Sequence, residues 1–177
     1  RGRPGVLLRI NAQATSIIVI ELRAFHTAVV AFDLLGQEFY RERATTVYNL
    51  TPEERVTEVQ PMLERSIQSA SRQAARIAKI IVVVPGIVDA ETKITSSSLN
   101  WEKLELLEHI KNAVPASVPV EVNTVAKLAA LAEYRYIMRA NKTSKQLLHL
   151  ELGITPGVGI VQNGELQLGA NLSIGNI

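Results

Sequence analysis

The chain has no cysteine. Disulfides and thiolate metal sites are therefore excluded within it, which fits a reducing compartment and an expected cytoplasmic location. It has almost no charge imbalance. Its 19 Lys and Arg against 17 Asp and Glu give a formal charge of +2, too little for the bulk composition to carry a nucleic-acid footprint. No apolar run approaches the ~20 residues of a membrane span, so no membrane partner is expected. No signal peptide is visible either, although the chain begins at arginine rather than methionine, and we expect it to be a piece of a longer protein. The three histidines, His26, His109 and His149, are scattered, and no metal site is assigned to them. What the 177 residues do have is a 47% hydrophobic content, enough to bury a core as one domain or one and a half.

The stretch on which the chain turns is Ile80 to Asp89. Ile80 to Val84 is β-branched and apolar at every position, which reads as a strand buried on both faces near the centre of an α/β sheet. Pro85-Gly86 stops it, because proline cannot donate to the ladder and glycine tolerates positive φ. Ligands of open α/β sheets sit outside the carboxyl ends of the strands, so Pro85-Gly86 is either a pocket floor or an ordinary turn.

Before that strand, Ile17 to Leu22 and Thr27 to Phe32 read as a hairpin, and Phe39 to Val47 as a third strand with one solvated face. Three antiparallel strands at the start favour an α+β layout over a Rossmann fold. No Gly-rich phosphate loop follows the first strand; Arg23 and Phe25 stand where such a loop would place small residues. Thr51-Pro52-Glu53-Glu54 is a helix start with a capping box. Val56, Val59, Leu63, Ile67, Ala70, Ala74 and Ile77 then follow as one apolar stripe, with Pro61 as an expected kink.

After the central strand, Ser96 to Trp101 is hydroxyl-rich and ends at the only tryptophan. It is either part of a sugar site, with Ser98 and Asn100 as hydrogen-bonders beside an aromatic wall, or a loop in which Asn100 caps a helix from Glu102 to Ala113. Val118 to Val122 reads as a short strand. A helix capped by Asn123 or Thr124 follows, with Val125, Leu128, Ala129, Ala132 and Tyr136 as its stripe. Asn141 to Ser144 is a linker. Leu147 to Leu152 is a strand, Gly153, Gly157 and Gly159 mark a Gly-rich turn, and Asn163-Gly164 closes a tight hairpin. Those glycines suit a phosphate cradle, but Pro156 removes one backbone donor from it.

Taken in order, these stretches resemble the ROK family, which contains bacterial sugar kinases and sugar-responsive transcriptional repressors. Arg1-Gly2-Arg3-Pro4, either a linker or a minor-groove hook by itself, is similar to the Gly-Arg-Pro that enters the effector domain of the repressors. Asp33-Leu34-Leu35-Gly36 is similar to the family's Asp-Leu-x-Gly turn, and Val84 to Asp89 to its Pro-Gly segment. Pro119 to Glu133 resembles its Pro-Val-x-Val-Glu-Asn-Asp-Ala-Asn stretch, and Gly153 to Gly169 its second Gly-rich turn and hairpin. The resemblance implies an α/β, actin-like ATPase (ribonuclease H-like) fold. Residues 1–4 would be a linker from a DNA-binding domain, 5–140 the N-terminal lobe, and 145–177 the beginning of a C-terminal lobe.

The departures from the family pattern matter as much. The family's Asn-Asp pair falls on Thr124-Val125, and Val125 has no group to act as the kinases' general base. Its Gly-Glu-Ile-Gly-His sugar clamp falls on Gly175-Asn176-Ile177, and its early phosphate loop on Glu21 to Phe25. The resemblance therefore implies a sugar-responsive repressor's effector-binding and oligomerisation domain without kinase activity. Gly86, Ser98, Asn100, Asn123, Thr124 and Asn176 are its candidate sugar-binding residues, and Gly153, Gly157 and Gly159 the remnant of a phosphate turn. The implied partners are a sugar or sugar-phosphate effector, DNA through an N-terminal helix-turn-helix, and further copies in a homodimer or homotetramer. No cofactor is expected in this segment; the family's structural zinc would lie past Ile177. The alternatives are a ROK sugar kinase and a regulator that has lost its sugar. A second lobe begun at about Leu147 would also leave apolar strand edges to pair with another chain.

Overall fold

A computed structural model describes residues 7–140 and 143–169. The Arg1 to Pro4 segment, Asn141 and Lys142 of the linker, and the Gly175-Asn176-Ile177 stretch lie outside the described residues. The chain opens with a single 3₁₀ turn, Ala12–Ala14, and then lays down β1 (Ser16–Leu22), β2 (His26–Asp33) and β3 (Glu38–Thr45) as an antiparallel meander. In β1 the side chains alternate strictly between buried and half-buried, as a pleated strand with unequal faces requires. On β3, polar residues face water, which suits a sheet edge.

Helix α1 (Pro52–Gln73) carries the chain back across the sheet so that β4 (Ile77–Val84) pairs parallel to β1. Its start is the expected capping box. Thr51 Oγ1 accepts the Glu54 N–H at 3.2 Å, and the Glu54 carboxylate accepts the Thr51 N–H at 2.8 Å. Val59, Leu63 and Ala70 are buried as the stripe requires, joined by Met62, Ser66 and Arg55. The stripe ends earlier than its periodicity suggests: Ala74 is the C-cap and Ile77 already belongs to β4. The helix runs unbroken through Pro61, which is exposed together with Thr57, so the carbonyl that proline leaves without a donor faces water.

After β4 comes a small sheet of β5 (Ile87–Val88), β6 (Ile94–Ser96) and β7 (Trp101–Leu104), then α2 (Leu106–Ile110) and β8 (Val120–Thr124), which pairs parallel to β4. The main sheet thus has the order β3-β2-β1-β4-β8. The expected helix from Glu102 to Ala113 is corrected here. Trp101 to Leu104 pairs with β6, and α2 is a five-residue helix whose N-cap position, Glu105, makes no side-chain cap. Asn100 caps nothing; it takes φ +55° in the turn between β6 and β7.

Helix α3 (Val125–Arg139) leads into a second meander, β9 (Gln146–Glu151), β10 (Gly157–Gln162) and β11 (Glu165–Leu166). Asn163 and Gly164 join β10 to β11 at φ +52° and +89°, the paired positive values that a tight two-residue hairpin needs. The expected stripe on α3 is also corrected. The buried residues are Ala126, Lys127, Ala130 and Tyr134, whereas Tyr136 is 71% exposed. Most of the apolar core lies between the main sheet, α1 and the small sheet, around Ile18, Ile20, Leu63, Ile80 and Ile94. Truncating one of these, as in Leu63→Ala, costs about 2–5 kcal/mol.

Candidate functional site

The parallel strands β1, β4 and β8 end at Leu22, Val84 and Thr124, and their carboxyl ends point toward the second meander. Between them is a cleft of about 170 Å³. The β1–β2 turn contributes Arg23 to His26, the end of β4 contributes Pro85, the β6–β7 turn Ser98, and the β9–β10 connection Gly153, Ile154 and Thr155.

Two contacts join the walls. Arg23 donates from Nε to Glu21 at 2.7 Å and from Nη1 to Glu151, on β9, at 2.5 Å. Ser97 and Thr155 place their hydroxyl oxygens 3.2 Å apart. Burial on its own would lower the pKa of Arg23, but the hydrogen bonds to Glu151 and Glu21 outweigh it and the pKa is raised. His26 is shifted the other way, first by burial and then by Arg43. Beneath the turn lies Arg55 from α1, 2% exposed. Its Nη2 donates to the Arg23 carbonyl at 3.1 Å, and its Nη1 donates to Thr27 Oγ1 and Glu58 at 3.1 Å each. Thr46 donates to the same Glu58 carboxylate. This buried network holds the β1–β2 turn on α1.

The residues singled out from sequence are distributed unevenly about this cleft. Ser98 and Gly153 line it. Gly86, at φ +104°, sits against β6, where a Cβ would stand 2.3 Å from the Thr95 carbonyl oxygen; its neighbour Pro85 is the one that lines the cleft. Asn123 is half-buried at the end of β8, where its Oδ1 accepts the Thr124 N–H at 2.8 Å and its Nδ2 donates to Glu121 at 3.4 Å. Thr124 occupies the N-cap position of α3 but its side chain makes no cap hydrogen bond. Val125 is the first residue of α3. Asn100 is exposed in its turn, and Asn176 lies outside the described residues. Gly157 and Gly159 are on β10 against α3, with Ala126 as the common neighbour.

Trp101 does not form an aromatic wall. It is 5% exposed and packed in the main core, with its indole N–H unpartnered. The aromatic group at the cleft is Phe25, stacked on Tyr48 with ring centroids 5.5 Å apart. Phe25, out of place for a phosphate loop by its size, is instead a wall of the cleft. Glu151 was missed altogether, because nothing local links it to Arg23, 128 positions away.

The mixed sheet, its crossover helices and the cleft at the strand ends define an actin-like ATPase fold. The ROK family model matches residues 17–177, and the chain belongs to the ROK family. It is 28% identical over 171 residues to the xylose repressor of Caldicellulosiruptor bescii, an alignment covering 96% of this chain and 42% of that protein. Among solved structures, a ROK family transcriptional regulator described as a homologue of the E. coli MLC protein superposes with a TM-score of 0.78 at 20% identity, covering 98% of this chain and 43% of the other. A ROK family glucokinase from Streptomyces griseus, in complex with glucose and AMPPNP, gives a TM-score of 0.70 at 19% identity, with 91% and 49% covered. The chain therefore spans less than half the length of these relatives. Among the described residues, no helix is long and apolar enough to cross a membrane.

Proposed function

We propose that this chain is the effector-binding and oligomerisation part of a sugar-responsive ROK transcriptional repressor that has no kinase activity. The observation that carries this reading is the state of the β1–β2 turn. A kinase needs open backbone donors there for transferring phosphates, and electrostatic stabilisation is nearly all that catalyses that transfer. Here the turn is built from Arg23, Ala24 and Phe25, with the Arg23 guanidinium already engaged by two carboxylates. Val125, which stands where the family resemblance implies the general base, cannot accept a proton. The 28% identity to a xylose repressor supports the same choice within the family.

In this reading a sugar or sugar phosphate enters between the lobes represented by the main sheet and the second meander. Gly86, Ser98, Asn100, Asn123 and Thr124 are the proposed sugar-contacting set, with Asn176 beyond the described residues. Gly153, Gly157 and Gly159 descend from a phosphate turn. A sugar shifts the assembly only if it binds one arrangement of the lobes more tightly than the other. DNA would be held by a helix-turn-helix domain outside this chain, within a cytoplasmic homodimer or homotetramer, with a structural zinc in the C-terminal portion of the full protein. The likeness to a sugar kinase keeps phosphoryl transfer as the competing reading. Incubating the full-length protein with Mg-ATP and a panel of hexoses and N-acetylhexosamines tests the choice. Absence of sugar phosphate is the expected result, and catalytic formation of one overturns the proposal.

A further inference from the structure

The charge arrangement at the cleft has a consequence for its ligand. Arg23 is the one Lys or Arg among the described residues that line the cleft, and both Glu21 and Glu151 bind it. One guanidinium against two carboxylates gives this group a charge of −1, while Arg43 and Arg55 are the other cations that act on His26 at the same turn. All three side chains are partly buried, at 27%, 32% and 21% exposure, so solvent screens them incompletely. The remaining lining is uncharged: Ala24, Phe25, Pro85 and Ile154 are apolar, and Ser98 and Thr155 bear hydroxyls. His26 is held toward its neutral form, chiefly by burial.

We propose that the Arg23–Glu21–Glu151 group decides which ligands this cleft accepts: it turns away phosphate-bearing molecules and leaves the site to uncharged, hydroxyl-bearing ones. Glu21 and Glu151 take only Nε and Nη1 of Arg23, so a phosphate that sought Arg23 would have to bond its remaining N–H groups. It would then stand beside two partly buried carboxylates that already share the guanidinium's charge, a like-charge contact in incompletely screened surroundings. Pro156, next in sequence to the lining residue Thr155, has no N–H to add to the backbone donors there. Arg23 is thus a specificity-determining residue in its paired state, and a stronger anion-binding one once its partners are removed. A sugar with an apolar face and several hydroxyls meets no such penalty against Phe25, Ser98 and Thr155.

The sugar half of this inference rests on the effector reading above, whereas the phosphate half does not. The test is calorimetric titration of the full-length protein with inorganic pyrophosphate, glucose and glucose 6-phosphate. The proteins compared are the wild type, Glu151→Gln, Glu21→Gln, the Glu21→Gln/Glu151→Gln double variant, and the double variant carrying Arg23→Met. Wild type is expected to show no pyrophosphate binding. The double variant is expected to bind it at least tenfold more tightly, and Arg23→Met to remove the gain. Glu21→Gln leaves the Arg23–Glu151 link in place, so its smaller gain is readable even if Glu151→Gln variants do not fold, as melting curves will show. Pyrophosphate or glucose 6-phosphate binding by wild type that Arg23→Met abolishes overturns the proposal. So does a folded double variant that binds no better than wild type. A pyrophosphate gain without any sugar binding upholds phosphate exclusion while removing support for the effector reading.

Discussion

Gly159 on β10 lies so close to α3 that a Cβ built there would stand 2.2 Å from the Ala126 carbonyl oxygen and 2.5 Å from the Ala130 Cβ. The first of these neighbours is backbone and cannot swing aside. The glycine is what lets a strand of the second meander seat directly on the helix that leaves the main sheet. Gly159→Ala is expected to destabilise the chain by about 1–3 kcal/mol through overpacking. Gly157→Ala, which meets only the Ala126 Cβ at 3.1 Å, should lose distinctly less. Thermal unfolding of the two variants checks this, since each kcal/mol moves the midpoint by roughly 2–4 °C in a domain of this size. Equal midpoints would contradict the close-packing role.

Arg55 is the keystone of the network under the β1–β2 turn. Burial pushes its pKa down while the Glu58 carboxylate beside it pushes back, so the pair holds a charge in a partly desolvated place. Arg55→Ala leaves the Arg23 carbonyl without its side-chain donor and Glu58 without its cation, although Thr27 and Thr46 still donate to that carboxylate, and removing one member of a buried pair costs about 3–5 kcal/mol. Urea unfolding should show a matching fall in midpoint. Arg55→Lys is expected to recover only part of it, since an ammonium cannot span Thr27, Glu58 and the Arg23 carbonyl as the forked guanidinium does.

Acid should weaken the chain through Glu42. Hydrogen bonds from Arg65 and then Tyr40 hold its pKa below the usual carboxylate range. A carboxylate with a lowered folded pKa contributes stability that is complete above its unfolded value, about 4.3, and is lost as pH falls through the folded value. Stability should therefore decline below about pH 4–5, and Glu42→Gln should show a shallower decline with little change in the shape of the curve near neutrality. The effect is modest because Arg65 is half exposed. Denaturant titrations at neutral and acid pH compare the two slopes, and identical slopes would exclude Glu42 as a contributor.

The second meander presents an apolar face to solvent. Leu148, Leu150 and Leu152 alternate along and just past β9 and are 65%, 48% and 80% exposed. Alternation puts them on one side of the sheet, and a patch of this kind favours association. The 177-residue chain is expected to self-associate in sedimentation equilibrium, and a Leu148→Lys/Leu150→Lys variant to do so more weakly. A wild-type chain that stays monomeric throughout the micromolar range would count against this.

The elements that were readable in advance are those with strong local causes. The Thr51 capping box, the β-branched run of β4, the β1–β2 hairpin and the Asn163-Gly164 turn each carry their signal within a few residues. The errors fall where a distant partner decides. Trp101 to Leu104 has a helix-compatible composition, yet pairing with Ile94 to Ser96 makes it a strand. On α3 the larger side chains suggested one face, but the contact is made by alanines that glycines on β10 allow to come close. At the cleft, Arg23 and Phe25 were visibly out of place for a phosphate loop, whereas Glu151, which explains what Arg23 does there, is tied to it only by the fold.

The most direct test of an effector-gated regulator is calorimetric titration of the full-length protein with uncharged hexoses, pentoses and N-acetylhexosamines, with and without ATP, followed by assay of the same samples for phosphorylated product. Saturable binding of one sugar, unchanged by ATP and without product, is the predicted result. Binding that depends on ATP and ends in sugar phosphate would contradict it.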